Sequence, residues 1–324
     1  MLGVGLWPSA PDGAGFQAVQ NASAKAPRPP EEIPFERLKP DAVMAIAMEP
    51  GAVADADAIW VPQLSASAIT RIDAKSNKPD APISLPKPPC ASVAVAFESL
   101  WVPSCEGANV LRVSIKHGNV SATVPLPVAD PQGSIAMAVG SVWLLTDAKG
   151  VLSRIDPDTQ APVAETYVAA KPSSVIAGDG ALWVTSEAGN IVTRINPHTN
   201  AIVETVEVGP RPGRIVVGEG AVWTLNRGDG SVSRIDAKSN KLVTTIAVGE
   251  SIANGEIAVG EGSVWISAPG VPITRIDPVS NRVAQRFPGA GGGAILVAHG
   301  SLWVAAGPKL TWRIDPKLVA AMRP

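Results

Sequence analysis

Three histidines, two cysteines and a scatter of carboxylates are the groups in this 324-residue chain with chemistry to offer. Nucleophilic catalysis needs a Ser or Cys within reach of a His base, and no motif here sets one beside the other. A hard-cation site needs several oxygens converging. The carboxylates of interest (Glu106, Asp130, Asp147, Glu187, Asp229, Glu250 and Glu256) are spread along the chain. Cys90 and Cys105 have no His near them in sequence, which argues against a metal site. They flank a hairpin that turns near Phe97–Ser99. Pairing Val95 with Ser99 and extending outward leaves the two cysteines within one place of facing each other, which suits a disulfide. Such a bond implies an oxidising compartment. The alternative is two independent buried thiols.

The elements that must position these groups are written most clearly in Arg214–Asp236, RIVVGEGAVWTLNRGDGSVSRID. A β-branched run, Ile215–Val217, meets the turn Gly218–Gly220. A second run is centred on Trp223, a polar loop covers Asn226–Gly230, and a third run ends in Arg234-Ile235-Asp236. After the turn Ala237–Lys241, Leu242–Val248 alternates as a fourth strand. Alternation, β-branching and glycine punctuation predict antiparallel strands joined by tight turns.

The unit recurs. Its Trp stands at Trp60, Trp101, Trp143, Trp183, Trp223, Trp265 and Trp303, and Arg71, Arg112, Arg154, Arg194, Arg234, Arg275 and Arg313 follow ten or eleven places later. A period near 40 residues with four strands per unit predicts an all-β, seven-bladed β-propeller of four-stranded antiparallel blades. The Trp, the Arg and turns such as Asp156-Pro157-Asp158-Thr159 and Asp277-Pro278-Val279-Ser280-Asn281 read as packing and turn residues.

Only Pro316–Pro324 remains after the last Arg-Ile-Asp, too little for a fourth strand and its exit. The segment Ala42–Ala47 reads as the missing outer strand, so the N-terminus closes the ring and covers an exposed edge. Residues 35–324 are expected to form one domain, with regular structure beginning around Ala42–Ala47. Residues 1–34, rich in Pro, Ala and Gly, read as a disordered lead, or as the remnant of an export signal whose start lies upstream. Together with the cysteines, the lead points to a periplasmic or secreted protein. Net charge is −2 with no basic run, which argues against a nucleic-acid footprint. No stretch reaches the ~18 consecutive apolar residues of a membrane span.

A repeat protein keeps its structural positions alike, so departures from the pattern mark candidate sites. Nine places before each Trp, where the inner strand starts, stand Gly51, Ser92, Ser134, Ser174, Arg214, Glu256 and Ala294. Arg214 and Glu256 break the run of small residues in adjacent blades. With Asn254, Arg211, Asn226 and Gln132 nearby, they form the candidate ligand site at the channel mouth; Lys171 and Arg227 are further variable polar residues there. The competing reading is an ordinary surface ion pair contributing ~0–1 kcal/mol. Mouth loops such as Ala268-Pro269-Gly270-Val271-Pro272 and Gly289–Gly293 are apolar or glycine-rich and suit an extended peptide or another protein.

The units resemble the YVTN-type, YncE-like seven-bladed propellers and are similar to the streptogramin B lyase (virginiamycin B lyase) group. The residues carrying the likeness are Val208–Val216, Val217–Thr224, Val259–Ile266 and Arg194–Asn200. Trp stands where the YVTN pattern has Tyr. The lyase resemblance implies histidines and glutamates with a magnesium ion at the channel mouth. Here His117 and His198 fall in third-to-fourth strand turns and His299 in a first-to-second turn, on the opposite face, so no lyase residue carries over. The expectation is a monomeric, non-catalytic propeller without cofactor or metal that binds a protein, peptide or small ligand at the mouth. The alternative is a metal-assisted lyase of the streptogramin B lyase type.

Overall fold

A computed structural model describes residues 29–106, 108–129, 134–249 and 255–324. Seven antiparallel sheets run in chain order around an axis. Blade 5 shows the pattern: inner strand Pro212–Gly218, then Ala221–Asn226, Ser231–Asp236 and the outer strand Lys241–Ala247. First-to-second and third-to-fourth turns share one face. Second-to-third loops and the connections between blades share the other, the mouth.

The ring closes through a strand from the N-terminal part of the chain, as expected. Ala42–Met44 pairs antiparallel with Leu310–Ile314, Ala42 facing Arg313 and Met44 facing Thr311. It is the outer strand of blade 7. Structure begins earlier than Ala42, however. Glu31–Glu32 adds in parallel to the outer strand of blade 6, opposite Gln285 and Arg286. Behind it Ile33, Phe35 and Leu38 are buried, and the Phe35 ring stacks on Trp312 at 4.6 Å. Composition masked this segment, because its apolar residues are too few and irregularly spaced to show a strand period. The rest of the expected lead, up to residue 28, lies outside the described residues. A short helix, Pro316–Ala321, caps the junction of blades 6 and 7 with Val319 buried and Asp315 as its N-cap.

All seven repeat Trp are buried between adjacent sheets. Each faces its repeat Arg across the second and third strands, from Trp60–Arg71 to Trp303–Arg313. In blades 2, 3, 4, 5 and 7 the guanidinium lies 5.0–5.4 Å from the ring centroid. The same guanidinium then reaches the third-to-fourth turn of the next blade. Arg234 donates to Pro278 O and Asn281 Oδ1, both at 2.6 Å. Arg154 reaches Pro197 O and Asn200 Oδ1, Arg194 reaches Asn240 Oδ1, and Arg112 reaches Pro157 O. Arg313 reaches Ala74 O and Asn77 Oδ1 of blade 1, closing the circle. The turn Asn residues hold positive φ, 56–60° for Asn77, Asn200, Asn240 and Asn281, a conformation Asn tolerates. At the axis, inner strands approach so closely that a Cβ on Gly178 would lie 2.6 Å from Val217 of the next blade.

Cys90 and Cys105 form the disulfide, with Cα atoms 5.4 Å apart. The hairpin register is Ala94–Trp101, Val95–Leu100 and Ala96–Ser99. It differs by one place from the Val95–Ser99 pairing expected from sequence, because the turn is the two-residue Phe97-Glu98 with both residues at φ 54°. Continued outward, the observed register sets Cys90 opposite Cys105.

Deleting residues 1–48 removes the borrowed strand and the buried Ile33, Phe35, Leu38, Met44 and Met48. The expected result is a fall in Tm of more than ~10 °C or loss of the cooperative transition. A Tm unchanged from the full chain, read by circular dichroism, contradicts the closure.

Candidate functional site

The inner-strand starts line the axis. Ser134 Oγ accepts from Val175 N at 2.7 Å and lies 3.5 Å from Ser174 Oγ, joining blades 3 and 4. Arg214 Nε donates to Glu256 Oε1 at 2.7 Å, joining blades 5 and 6. The repeat position therefore brings its two departures into direct contact. Arg214 Nη2 also crosses the axis and donates to the carbonyl of Ala91 in blade 2, at 2.7 Å. That acceptor was not legible in the sequence, because a backbone carbonyl leaves no side-chain signal.

The pair belongs to a ladder of alternating charge. Arg211 Nε lies 3.9 Å from Glu187 Oε2, and Arg227 Nη1 lies 3.6 Å from Glu187 Oε1. Arg227 also acts electrostatically on Glu256. Side-chain exposure is 64% at Arg211 and 22% at Glu187, and 9–14% at Arg227, Glu256 and Arg214. The ladder thus runs from the exposed rim of blades 4 and 5 to the axis. Arg227 fits because Gly213 leaves room: a Cβ there would sit 2.5 Å from its Nε. Burial pushes the Glu256 carboxyl above its ordinary range, against the pull of Arg214 and Arg227.

The exposed-pair estimate does not apply to Arg214–Glu256, which is mostly withdrawn from water. Asn226 also sits differently from expectation. It is fully buried, its amide donating to Ser231 Oγ and Ser233 Oγ at 2.9 Å inside blade 5. The repeat loop sends Arg227 toward Glu187 instead and turns Asn226 inward. Arg211 is at the rim, its backbone N–H held by Asn190 Oδ1. Gln132 and Asn254 lie outside the described residues, as do Asp130 and Glu250.

His117, His198 and His299 occupy turns of the face opposite the mouth. His299 lines a groove there with Asp57, Lys75 and Arg313. Among the described residues, no three of His, Cys, Asp and Glu gather as a metal site. Among the described residues, magnesium ligation of the kind implied by the lyase resemblance does not fit. Its histidines are on the wrong face, and Glu187 and Glu256 face arginines.

No family model and no curated protein matches the chain. Solved structures do. Virginiamycin B lyase from Staphylococcus aureus aligns with a TM-score of 0.70 over 84% of this chain and 97% of that one, at 19% identity. The fold is a seven-bladed propeller similar to that of virginiamycin B lyase. A streptogramin B lyase structure aligns at TM-score 0.68 over 83% and 93% of the two chains, also at 19% identity. BamB from Moraxella catarrhalis aligns at 0.62 over 83% of each chain, at 14% identity. At these identities the likeness shows the fold alone. No helix among the described residues is long and apolar enough to cross a membrane.

Removing one member of a buried pair strands the other. Arg214→Ser and Glu256→Ser are each expected to cost ~3–5 kcal/mol in denaturant unfolding, with the double substitution costing less than their sum. Single substitutions within ~0.5 kcal/mol of wild type would return the pair to the surface class.

Proposed function

We propose that this propeller is a monomeric binding protein of an extracytoplasmic compartment, periplasmic or secreted, which receives a protein, peptide or small ligand at its mouth and catalyses no reaction. The observation that carries the reading is the ladder from Arg211 to Ala91. The ladder's charged groups are matched to one another, an arrangement suited to presenting a fixed polar surface. A general base needs a proton-accepting group within hydrogen-bond reach of substrate, whereas Glu187 and Glu256 are turned onto arginines. Arg214 and Glu256 are the residues assigned to recognition, with Arg211 at the rim. Gln132, Asn254 and the mouth-facing neighbourhood of Asn226 complete the proposed site. The Cys90–Cys105 disulfide supports the compartment, since such bonds persist where thiols are oxidised.

Similar folds serve both binding and chemistry. One of the matched chains belongs to a mitotic checkpoint complex, aligned at TM-score 0.67 over 86% of this chain with 11% identity. The lyase neighbours supply the competing reading, metal-assisted cleavage of a streptogramin-type substrate. Two measurements separate them. Purified protein with magnesium is expected to leave a cyclic depsipeptide lactone intact, by mass spectrometry. Immobilised wild type is expected to retain a component of an extracytoplasmic extract that a folded Arg214→Ser/Glu256→Ser variant loses. Magnesium-dependent ring opening, or equal retention by both proteins, overturns the proposal.

A further inference from the structure

Blades 1 and 2 meet without the Trp–Arg–turn contact seen at five other junctions. Arg71 bonds Asp80 of its own blade at 3.0 Å, and the facing turn of blade 2 carries His117-Gly118 where blades 1, 4, 5 and 6 carry Asn and blade 3 carries Gln160. Blades 1 and 2 share an apolar cluster that includes Trp60, Val93 and Leu100, and their polar contact near the axis runs through one peptide unit. Cys90, next to Ala91, is tied to the second strand twice, by the disulfide and by its N–H to Pro103 O at 2.7 Å. The Ala91 carbonyl is clamped from one side by Gly51 of blade 1, at φ 83°, where a Cβ would come within 2.4 Å of Ala91 O. From the other side Arg214 donates to it across the channel.

We propose that the Cys90–Cys105 disulfide is a redox lock on an axial plug, with Arg214 as the bolt and the Ala91 carbonyl as the keep. The intact disulfide fixes the Pro88–Val93 connection, which has no strand pairing of its own until Ala94. The fixed carbonyl holds the guanidinium across the axis. Reduction by a dithiol breaks the S–S bond: the reductant's thiolate attacks one sulfur, its second thiol resolves the mixed disulfide, and the protein gains two electrons and two protons as two thiols. Without the disulfide, Cys90 keeps its hydrogen bond to Pro103 O and Pro88 O its bond from Ser104 Oγ at 3.4 Å, and the Ala91 peptide between Cys90 and the buried Val93 moves off the axis. Arg214 keeps Glu256 and loses Ala91, and the mouth opens. Reduction thereby controls access to the site proposed above, although the lock exists whatever that site binds.

Hydrogen exchange of the full-length protein, oxidised and after dithiol treatment, tests the lock. Reduction is expected to speed exchange at residues 90–96 and, across the axis, at 212–217 by about tenfold or more, while blades 3 and 7 keep their protection. Acceleration confined to 88–105, or spread evenly over all blades, overturns the proposal. A reverse experiment leaves the disulfide intact. Arg214→Lys keeps the charge beside Glu256 but lacks the planar fork needed to hold two partners. It is expected to speed exchange at residues 90–94 in the oxidised protein, and unchanged exchange there also overturns the lock. Because neither arm uses a ligand, failure here is distinct from failure of the binding proposal.

Discussion

A guanidinium held between an indole face and the turn of the neighbouring blade is the contact on which this ring depends. The repeat Arg is fixed on its own blade by cross-strand pairing with Trp and stacks over it. Its remaining donors are then aimed outward at a carbonyl and an Asn amide of the next blade. Cation–π contacts contribute ~0.5–2 kcal/mol and hydrogen bonds to charged groups ~1.5–3 kcal/mol, so the junctions that have both are well secured. The two junctions without it are held by other means. Between blades 6 and 7 the turn partner is missing because the outer strand comes from the N-terminus. There Arg275 bonds Ser263 and Gln285, and Gln285 in turn donates to Met322 O beyond the C-terminal helix. Between blades 1 and 2 the substitute is the contact of Gly51, Ala91 and Arg214 at the axis.

This division of labour explains where function can reside. The latch and its turns lie toward one face, and the indoles lie between the sheets. The inner-strand starts and second-to-third loops at the other face are released from that duty. They vary from blade to blade, and the variation concentrates charge in blades 4 to 6. A structural requirement met on one face thus leaves a polar ladder on the other.

The fold was legible because packing repeats. Seven Trp at one period give the blade count, and Ala42–Ala47, read as the outer strand of the last blade, pairs there over Ala42–Met44. Hairpin geometry sets Cys90 and Cys105 within one place of facing each other, and the observed register removes that offset. What escaped was non-periodic or made by backbone. Glu31–Glu32 pairs through main-chain atoms on an outer edge, where side chains carry little pattern. The latch joins an Arg to a turn more than 40 residues away, and nothing in either stretch names the other. At the site, pattern-breaking found Arg214 and Glu256 but gave no measure of burial. It could not distinguish Asn226, turned inward onto two serines, from Arg227 beside it.

The latch is tested most directly by a double-mutant cycle on Arg234 and Asn281, followed by denaturant unfolding. Arg234→Met keeps the aliphatic stem, and Asn281→Gly keeps the positive φ. Each single change is expected to cost ~1–3 kcal/mol, and the double change is expected to cost less than the sum by ~0.5 kcal/mol or more. Strict additivity, or an Arg234→Met variant as stable as wild type, would contradict the account.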